Sequence, residues 1–343
     1  MNLYDLYLTA ITKAGRSKVI QDLNVAPGTA KRWEDKKEVP AQYYFDLMRL
    51  SKLPIDYTKF TAREKDQFFT SANIAESCTS ILYNILEQNG ISVEDYVFLE
   101  PSAGNGAFLP YLPENYIAFD VEPKDDNVLT QDFFTWEPKV GTKYIVIGNP
   151  PFGLRGQQAL KFINKALTFA DFCAFILPPL FDSDGRGTPK KRINGNLIYT
   201  GPCGSNYYYP DGKNVEVNTI FQIWTRLDFA SLVEEEETPK GYSVYSISDG
   251  GTPGTTRNKD KIEKCDFYLP STIFGAEKMI AYNSFEDLPL RRGYGIILEN
   301  KDLMSACSLP WHEIAFESTN GALNLRKSLI VKAINAYKNK EDA

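Results

Sequence analysis

The sequence predicts an α/β protein with an open, mostly parallel sheet and helices on both faces. A small helical N-terminal part and a C-terminal α+β segment flank it. Two observations predict this. Short apolar runs at residues 96–99, 116–119 and 144–147 have the composition of buried parallel strands. Each ends in acidic, glycine or Asn-Pro residues rather than in a hairpin turn, so functional groups gather at the carboxyl edge of one sheet. The expected organisation is a helical unit at 1–53, a ligand-binding core at 54–228 and an accessory segment at 229–343.

The first strand belongs to YVFLEPSAGNGAFLPYL (96–112), which continues into a glycine-bearing turn and a helix-compatible stretch. Gly104 and Gly106 would let backbone N–H groups and a helix N-terminus approach a ligand. YIAFDVEP (116–123) is the second strand. Its Asp120 lies twenty residues after Glu100, where a doubly wound nucleotide-binding sheet places its ribose acceptor. TQDFFTW (130–136) adds a carboxylate and aromatics suited to gripping an adenine ring. The third strand, KYIVIG, ends in Asn149, Pro150, Pro151 and Phe152. The two prolines lack N–H groups and have fixed φ, so the chain leaves the sheet as a stiff corner rich in acceptors. Neither GxGxxG nor GxxxxGK[ST] occurs, which disfavours a nicotinamide cofactor and a P-loop.

Composition narrows the chemistry. Apolar content is 43% and charged content 24% over 343 residues, ordinary for a soluble globular protein of two or three domains. No apolar run reaches membrane-spanning length, and the start lacks a signal-peptide pattern. The five cysteines are dispersed without a CxxC pair, so they read as reduced thiols rather than a disulfide or zinc framework. A cytoplasmic location and no metal are expected. His312 is the only histidine, so histidine-dependent acid–base chemistry is disfavoured. The net charge of −6 argues against wholesale coating of nucleic acid but leaves room for local basic patches.

The joint order of these motifs resembles a known family. EPSAGNGAF is similar to the S-adenosylmethionine loop of class I methyltransferases, and NPPF to the [N/D/S]PP[Y/F/W] motif of amino-methylating enzymes. KDQFFTSANIAESCTSILYNIL (65–86) resembles the cofactor motif preceding that loop in γ-type N6-adenine DNA methyltransferases. FCAFILPPLF (172–181) and NTIFQIWTR (218–226) match the later core strands. The resemblance covers roughly 60–228 and implies a Rossmann-like class I methyltransferase core that uses S-adenosylmethionine to methylate the N6 amino group of adenine in DNA, with base flipping. An RNA or protein-glutamine amino-methyltransferase is the alternative, as is a DNA-binding regulator with an inactive methyltransferase domain. The cell implied is prokaryotic or a phage-infected host, and the protein a monomer or homodimer.

By this resemblance, Asn149 and Pro150 would accept the two hydrogens of the target amino group, Pro151 would stiffen the corner and Phe152 would stack on the flipped base. Phe69 and Thr70 would touch the cofactor's methionine end, and Glu100, Ser102 and Gly104 would surround its amino and carboxylate groups. Asp120 would accept from the ribose, with Glu122 as alternative, while Asp132 and Phe133 would read and sandwich the adenine. Phe133 also suits plain core. Phe221 is the candidate second wall of the base pocket and Trp224 its alternate, although T-I-F-Q-I-W is equally a core strand. Arg186, Lys190, Lys191 and Arg192 lie in a long basic loop that would neutralise DNA phosphates, with Tyr207–Tyr209 stacking or wedging beside them. A solvated loop is the other reading. Residues 16–50 resemble a phage-repressor helix-turn-helix, with Thr29, Lys31 and Arg32 on the recognition helix. A packing bundle fits those residues as well. Residues 229–343 take a target-recognition role by position alone.

Overall fold

The computed structural model describes residues 2–23, 25–61, 67–183, 188–233, 236–252, 255–275, 277–318 and 321–341. Four helices come first: α1 (Leu3–Ala14), α2 (Arg16–Asp22), α3 (Pro27–Lys36) and α4 (Tyr44–Leu50). They close on a core of their own that includes Tyr7, Val19, Trp33 and Leu47. Pro27 starts α3, where its missing N–H costs nothing. Lys31 and Arg32 are exposed on that helix and Thr29 is half-buried.

The central sheet contains β1 (Phe69–Thr70), β2 (Val97–Glu100), β3 (Tyr116–Asp120), β4 (Leu129–Thr130), β5 (Tyr144–Gly148), β6 (Phe172–Leu177), β7 (Asn196–Tyr208) and β8 (Asn214–Thr225). Their order is β1-β7-β8-β6-β5-β2-β3-β4. Strands β4, β3, β2, β5 and β6 are parallel, and β8 runs against both β6 and β7. A parallel sheet with a reversed strand let in beside β6 is the Rossmann-like class I methyltransferase core. Every residue of β5 and β6 is buried, which explains their uninterrupted apolar sequence.

The helices α5 (Ala72–Gln88) and α6 (Gln157–Ala166) cover opposite faces of the sheet. Phe98 of β2 meets Tyr83 of α5 edge-on at 5.8 Å. Phe98 pairs with Ile145, so the adjacent Tyr144 points the other way, where it meets Trp136 and Phe169 at 5.8 and 5.5 Å. Lys165 of α6 donates to the Trp136 carbonyl on that same side, at 2.7 Å.

The helix-compatible stretch expected after the glycine turn is not a helix. It forms turns and a single 3-10 turn, Leu109–Tyr111. Pro110 and Pro113 withhold N–H groups, and Gly104 and Gly106 take φ values of +53° and +75° that no helix uses. The expectation of a helix N-terminus facing a ligand there falls with it.

The last third adds β9 (Tyr242–Ser248), α7 (Lys259–Ile262), β10 (Phe267–Pro270), β11 (Thr272–Ile273), β12 (Arg292–Leu298), α8 (Trp311–Ile314), β13 (Phe316–Glu317), β14 (Leu323–Asn324) and α9 (Lys327–Glu341). Two three-stranded sheets, β10-β12-β9 and β11-β14-β13, share this part. Its own core includes Phe267, Trp311 and Ile330. Among the described residues, no helix is long and apolar enough to cross a membrane.

Arg326, 7% exposed, ties this part to the loop after β6. Its guanidinium donates to the Asp182 carboxylate at 2.5 Å and to the carbonyls of Asp182 and Pro179 at 2.7 and 2.9 Å. It also lies 3.8 Å over the Phe316 ring. Arg326→Ala should cost about 3 kcal/mol, because charged hydrogen bonds are lost and carbonyls are left unpaired. Chemical denaturation would check this, and a loss below about 0.5 kcal/mol would show that the tie is not structural.

Candidate functional site

The chain leaves β2 in both directions across the sheet, to β3 on one side and β5 on the other. Open α/β sheets bind ligands at such a reversal, outside the carboxyl ends of the strands. A cleft of about 440 Å³ lies at these ends. Ser102, Gly104, Asp120, Glu122, Asp132 and Phe133 line one part of it, and Phe69, Asn149 and Pro151 line another.

Local backbone geometry sets the floor. The Gly104 N–H donates to Asp120 Oδ2 at 2.9 Å and the Glu122 N–H to Asp120 Oδ1 at 2.8 Å. The glycine turn is thereby latched to the tip of β3. A Cβ at Gly104 would lie 2.9 Å from the Phe69 ring, so the close approach excludes any side chain there. A Cβ at Gly148 would lie 3.3 Å from Glu100 Cγ, and its φ of +152° is rare for other residues. Glu100, 2% exposed, tucks beside this gap. Burial, and secondarily the nearby Asp120 charge, push its carboxyl well above the usual carboxylate range. Burial raises Asp120 as well, against the backbone donors of Glu122, Gly104 and Val121 that lower it.

Asn149 follows β5 directly. Its Nδ2 donates to Thr70 Oγ1 at 3.1 Å, while its Oδ1 is buried without a hydrogen-bond partner. Thr70 is itself fixed because β1 pairs antiparallel with β7, Thr70 opposite Tyr207. Ser102 Oγ, Gln158 Oε1 and Glu100 Oε2 are likewise buried and unpartnered. Three of these four residues line the cleft. Buried polar atoms are ordinarily paired, so their concentration here marks a place for a polar ligand. No cluster of metal-ligating residues occurs among the described residues.

The other predicted site residues fall in several places. Pro150 is buried at the corner, while Thr70 and Glu100 stand behind the lining. Phe152 is 6% exposed and covered edge-on by Phe68, whose ring centroid is 5.2 Å away. The Phe152 carbonyl accepts from the N–H groups of Gln158 and Ala159, so this residue also caps the start of α6. Phe133 is 1% exposed and stacks on Phe162 at 5.1 Å, leaving only its margin to the cleft. Phe221 and its alternate Trp224 are not at the cleft. Both are buried in the main core, packed among the apolar side chains that cover the sheet.

Tyr207 does not wedge outward either. It is buried with its hydroxyl 2.6 Å from that of Thr219, whereas the Tyr208 hydroxyl accepts from Asn105 Nδ2 at 2.5 Å. Lys190, Lys191 and Arg192 form a 3-10 turn, and Arg192 is half-buried with Nε donating to the Thr188 carbonyl at 3.5 Å. Arg186 lies outside the described residues. His312 belongs to the C-terminal part, where Nδ1 accepts from the Met279 N–H at 3.3 Å.

Sequence reasoning missed one whole wall. Gln42, Phe45 and Arg49 line the cleft from the N-terminal helical part and Tyr57 from the segment just after it, joined by Gln158 and Phe162 of α6. The only signal was the aromatic density of residues 43–60, which carries no spacing that points to a ligand.

No protein-family model matches the sequence. A curated protein, ENHANCED DOWNY MILDEW 2 of Arabidopsis thaliana, is 32% identical over 179 residues, covering 42% of this chain. The chain spans about 13% of the length of that protein. The fold is similar to that of several solved structures, among them the following three. A candidate RNA methyltransferase of Pyrococcus horikoshii is 15% identical with a TM-score of 0.35, over 48% of this chain and 88% of that one. A candidate class I S-adenosylmethionine-dependent methyltransferase of Listeria monocytogenes is 13% identical with a TM-score of 0.37, over 67% and 90%. The M protein of the type I restriction enzyme EcoKI is 11% identical with a TM-score of 0.33, over 98% and 87%. These overlaps are shallow, and the fold rests on the strand order itself.

Glu100 yields a stability prediction. A carboxyl whose folded pKa is raised binds more protons folded than unfolded, so stability falls as pH climbs above about 4.3. Glu100→Gln mimics the protonated form. It should raise Tm at pH 8 by several degrees, and the gain should disappear towards pH 4. A calorimetric scan with equal Tm at both pH values would place Glu100 in a solvated environment instead.

Proposed function

We propose that this chain binds S-adenosylmethionine and methylates the exocyclic N6 amino group of adenine in DNA. One observation carries the reading. Asn149 Oδ1 is a buried, unpartnered acceptor at the tip of β5, beside two prolines that add no competing donor. Such an oxygen suits a ligand N–H.

The cleft also fits the cofactor expected of this core. Glu100 Oε2 and Ser102 Oγ are unpartnered polar atoms for its amino and carboxylate groups. Asp120 and Asp132 are cleft-facing carboxylates for the ribose and the adenine. When bound, S-adenosylmethionine supplies an electrophilic methyl group on a sulfonium. The chain's own task is to present the nucleophile. An exocyclic amino nitrogen delocalises its lone pair into the ring, so two fixed acceptors for its hydrogens favour a pyramidal nitrogen with the lone pair free. Asn149 Oδ1 and the Pro150 carbonyl take these roles. Phe152 supplies the stacking ring once Phe68, which now stands edge-on to it, gives way to the flipped base. None of this needs a histidine or a metal. Lys190, Lys191 and Arg192 would serve DNA phosphates, and Lys31 and Arg32 on exposed positions of α3 offer a second DNA contact.

The same two acceptors suit an amino group in RNA or a glutamine side chain, so transfer of labelled methyl to DNA, RNA and protein should be measured side by side. DNA adenine should be the acceptor. Asn149→Ala should leave cofactor affinity within a few-fold while turnover falls by about two to three orders of magnitude. Wild-type turnover in Asn149→Ala would eliminate the two-acceptor mechanism.

A second expectation follows from the raised Glu100 carboxyl. If it receives the cofactor's α-ammonium group, that charge draws its raised pKa back down, and the proton it then releases passes to the buffer. Calorimetry near neutral pH should then give enthalpies that differ between phosphate and Tris buffers, and affinity should improve with rising pH. Glu100→Gln should abolish the buffer difference. A wild-type enthalpy independent of buffer would separate Glu100 from the ammonium.

A further inference from the structure

The N-terminal helices do more than pack. Arg49, near the end of α4, donates through Nε to Asp132 Oδ2 at 2.9 Å, across 83 residues of sequence. Nη2 of the same guanidinium donates to the Tyr57 hydroxyl at 3.2 Å, and the group lies 5.1 Å over the Phe134 ring. The other Asp132 oxygen accepts from the Phe134 N–H at 2.9 Å. Neither partner of the ion pair is more than a quarter exposed. One turn earlier on α4, Asp46 takes Lys161 Nζ at 2.7 Å and Gln158 Nε2 at 3.3 Å, so α4 is fastened to α6 as well. Phe45 and Tyr57 stack at 5.5 Å, with 20° between their planes, and both face the cleft.

We infer that the N-terminal helical unit is the outer wall of the cofactor cleft and that Arg49 is a positioning and specificity-determining residue, holding Asp132 for the cofactor's adenine. The inference rests on the S-adenosylmethionine reading above. A carboxylate free to rotate would meet a ring amino group or a ring carbonyl with little discrimination. Asp132 is clamped from two sides, by a backbone N–H and by Arg49, so its remaining lone pairs have fixed directions. A fixed carboxylate accepts from the adenine amino group and repels the carbonyl that hypoxanthine carries at the same position. Aromatic side chains of the wall, Phe45 and Tyr57, lie over the same end of the cleft, where a purine face would be covered.

The test compares the binding of S-adenosylhomocysteine with that of its deaminated analogue, S-inosylhomocysteine, by calorimetry. The unsubstituted chain should prefer the adenine form by about 100-fold or more. Arg49→Met should reduce that preference at least fivefold, and Arg49→Lys, which keeps the charge but loses the planar fork, should fall between. A merely structural role would weaken both ligands equally and leave their ratio unchanged, and that result would overturn the inference. If Arg49→Met does not fold, the ratio in Arg49→Lys and Tyr57→Phe decides on the same criterion. Failure of the wild type to bind either ligand would instead remove the methyltransferase reading, and the role of Arg49 with it.

Discussion

An unpaired acceptor buried at the tip of β5 sets the terms for everything around it. Leaving Asn149 Oδ1 without a partner costs about 1–3 kcal/mol, and the chain sustains it by fixing the rest of the side chain. The amide nitrogen is occupied by Thr70. Thr70 sits in a two-residue strand whose register comes from β7. The following prolines supply no N–H that would turn inward and satisfy the oxygen. A flexible loop would relax this cost by rotating the amide into solvent, whereas a stiff corner on a buried strand cannot.

The same edge carries a second cost. Glu100 and Asp120 end neighbouring parallel strands, Glu100 buried and Asp120 half-buried, and the Asp120 charge makes Glu100 harder to ionise. Asp120 is relieved by the backbone N–H groups of Gly104, Val121 and Glu122, which explains why the glycine turn must approach so closely. Glu100 has no such relief on Oε2. Burial therefore makes it hold its proton more tightly than a solvated carboxyl does. Stability has been surrendered at this edge for pre-organisation, a common arrangement at binding sites.

The sequence made the strand tips legible because tips demand unusual residues. A glycine pair with positive φ, an acid at fixed spacing and an Asn-Pro-Pro corner survive as local signals, and they fall around one cleft. What failed was whatever depended on neighbours in space. The stretch after Gly106 has the apolar content of a helix, but its two prolines and the latch to Asp120 hold it in turns. Phe221 lies on a strand whose sequence suits a pocket wall and a core strand equally, and the packing of the sheet puts it in the core. Tyr207 belongs to an aromatic triplet that reads as surface, and its contacts with Phe68 and Thr219, distant in sequence, bury it. Arg49 left no local trace, since its partner is 83 residues away.

Two arginines attach the accessory parts, and both reach the same edge of the sheet. Arg49 enters from the N-terminal helices to Asp132, and Arg326 enters from the C-terminal part to Asp182 and Pro179 after β6. Each places a planar cation on a carboxylate in a loop that follows a strand tip, and each also lies over an aromatic ring. Buried ion pairs of this kind add little net stability over apolar packing, but they are unforgiving of misplacement, because a lost partner leaves a charge stranded. They therefore fix geometry more than they add strength. For a cleft assembled from residues as far apart in sequence as Gln42 and Phe162, that is the property required. The sheet alone supplies a floor, and the arginine-held units determine what stands above it.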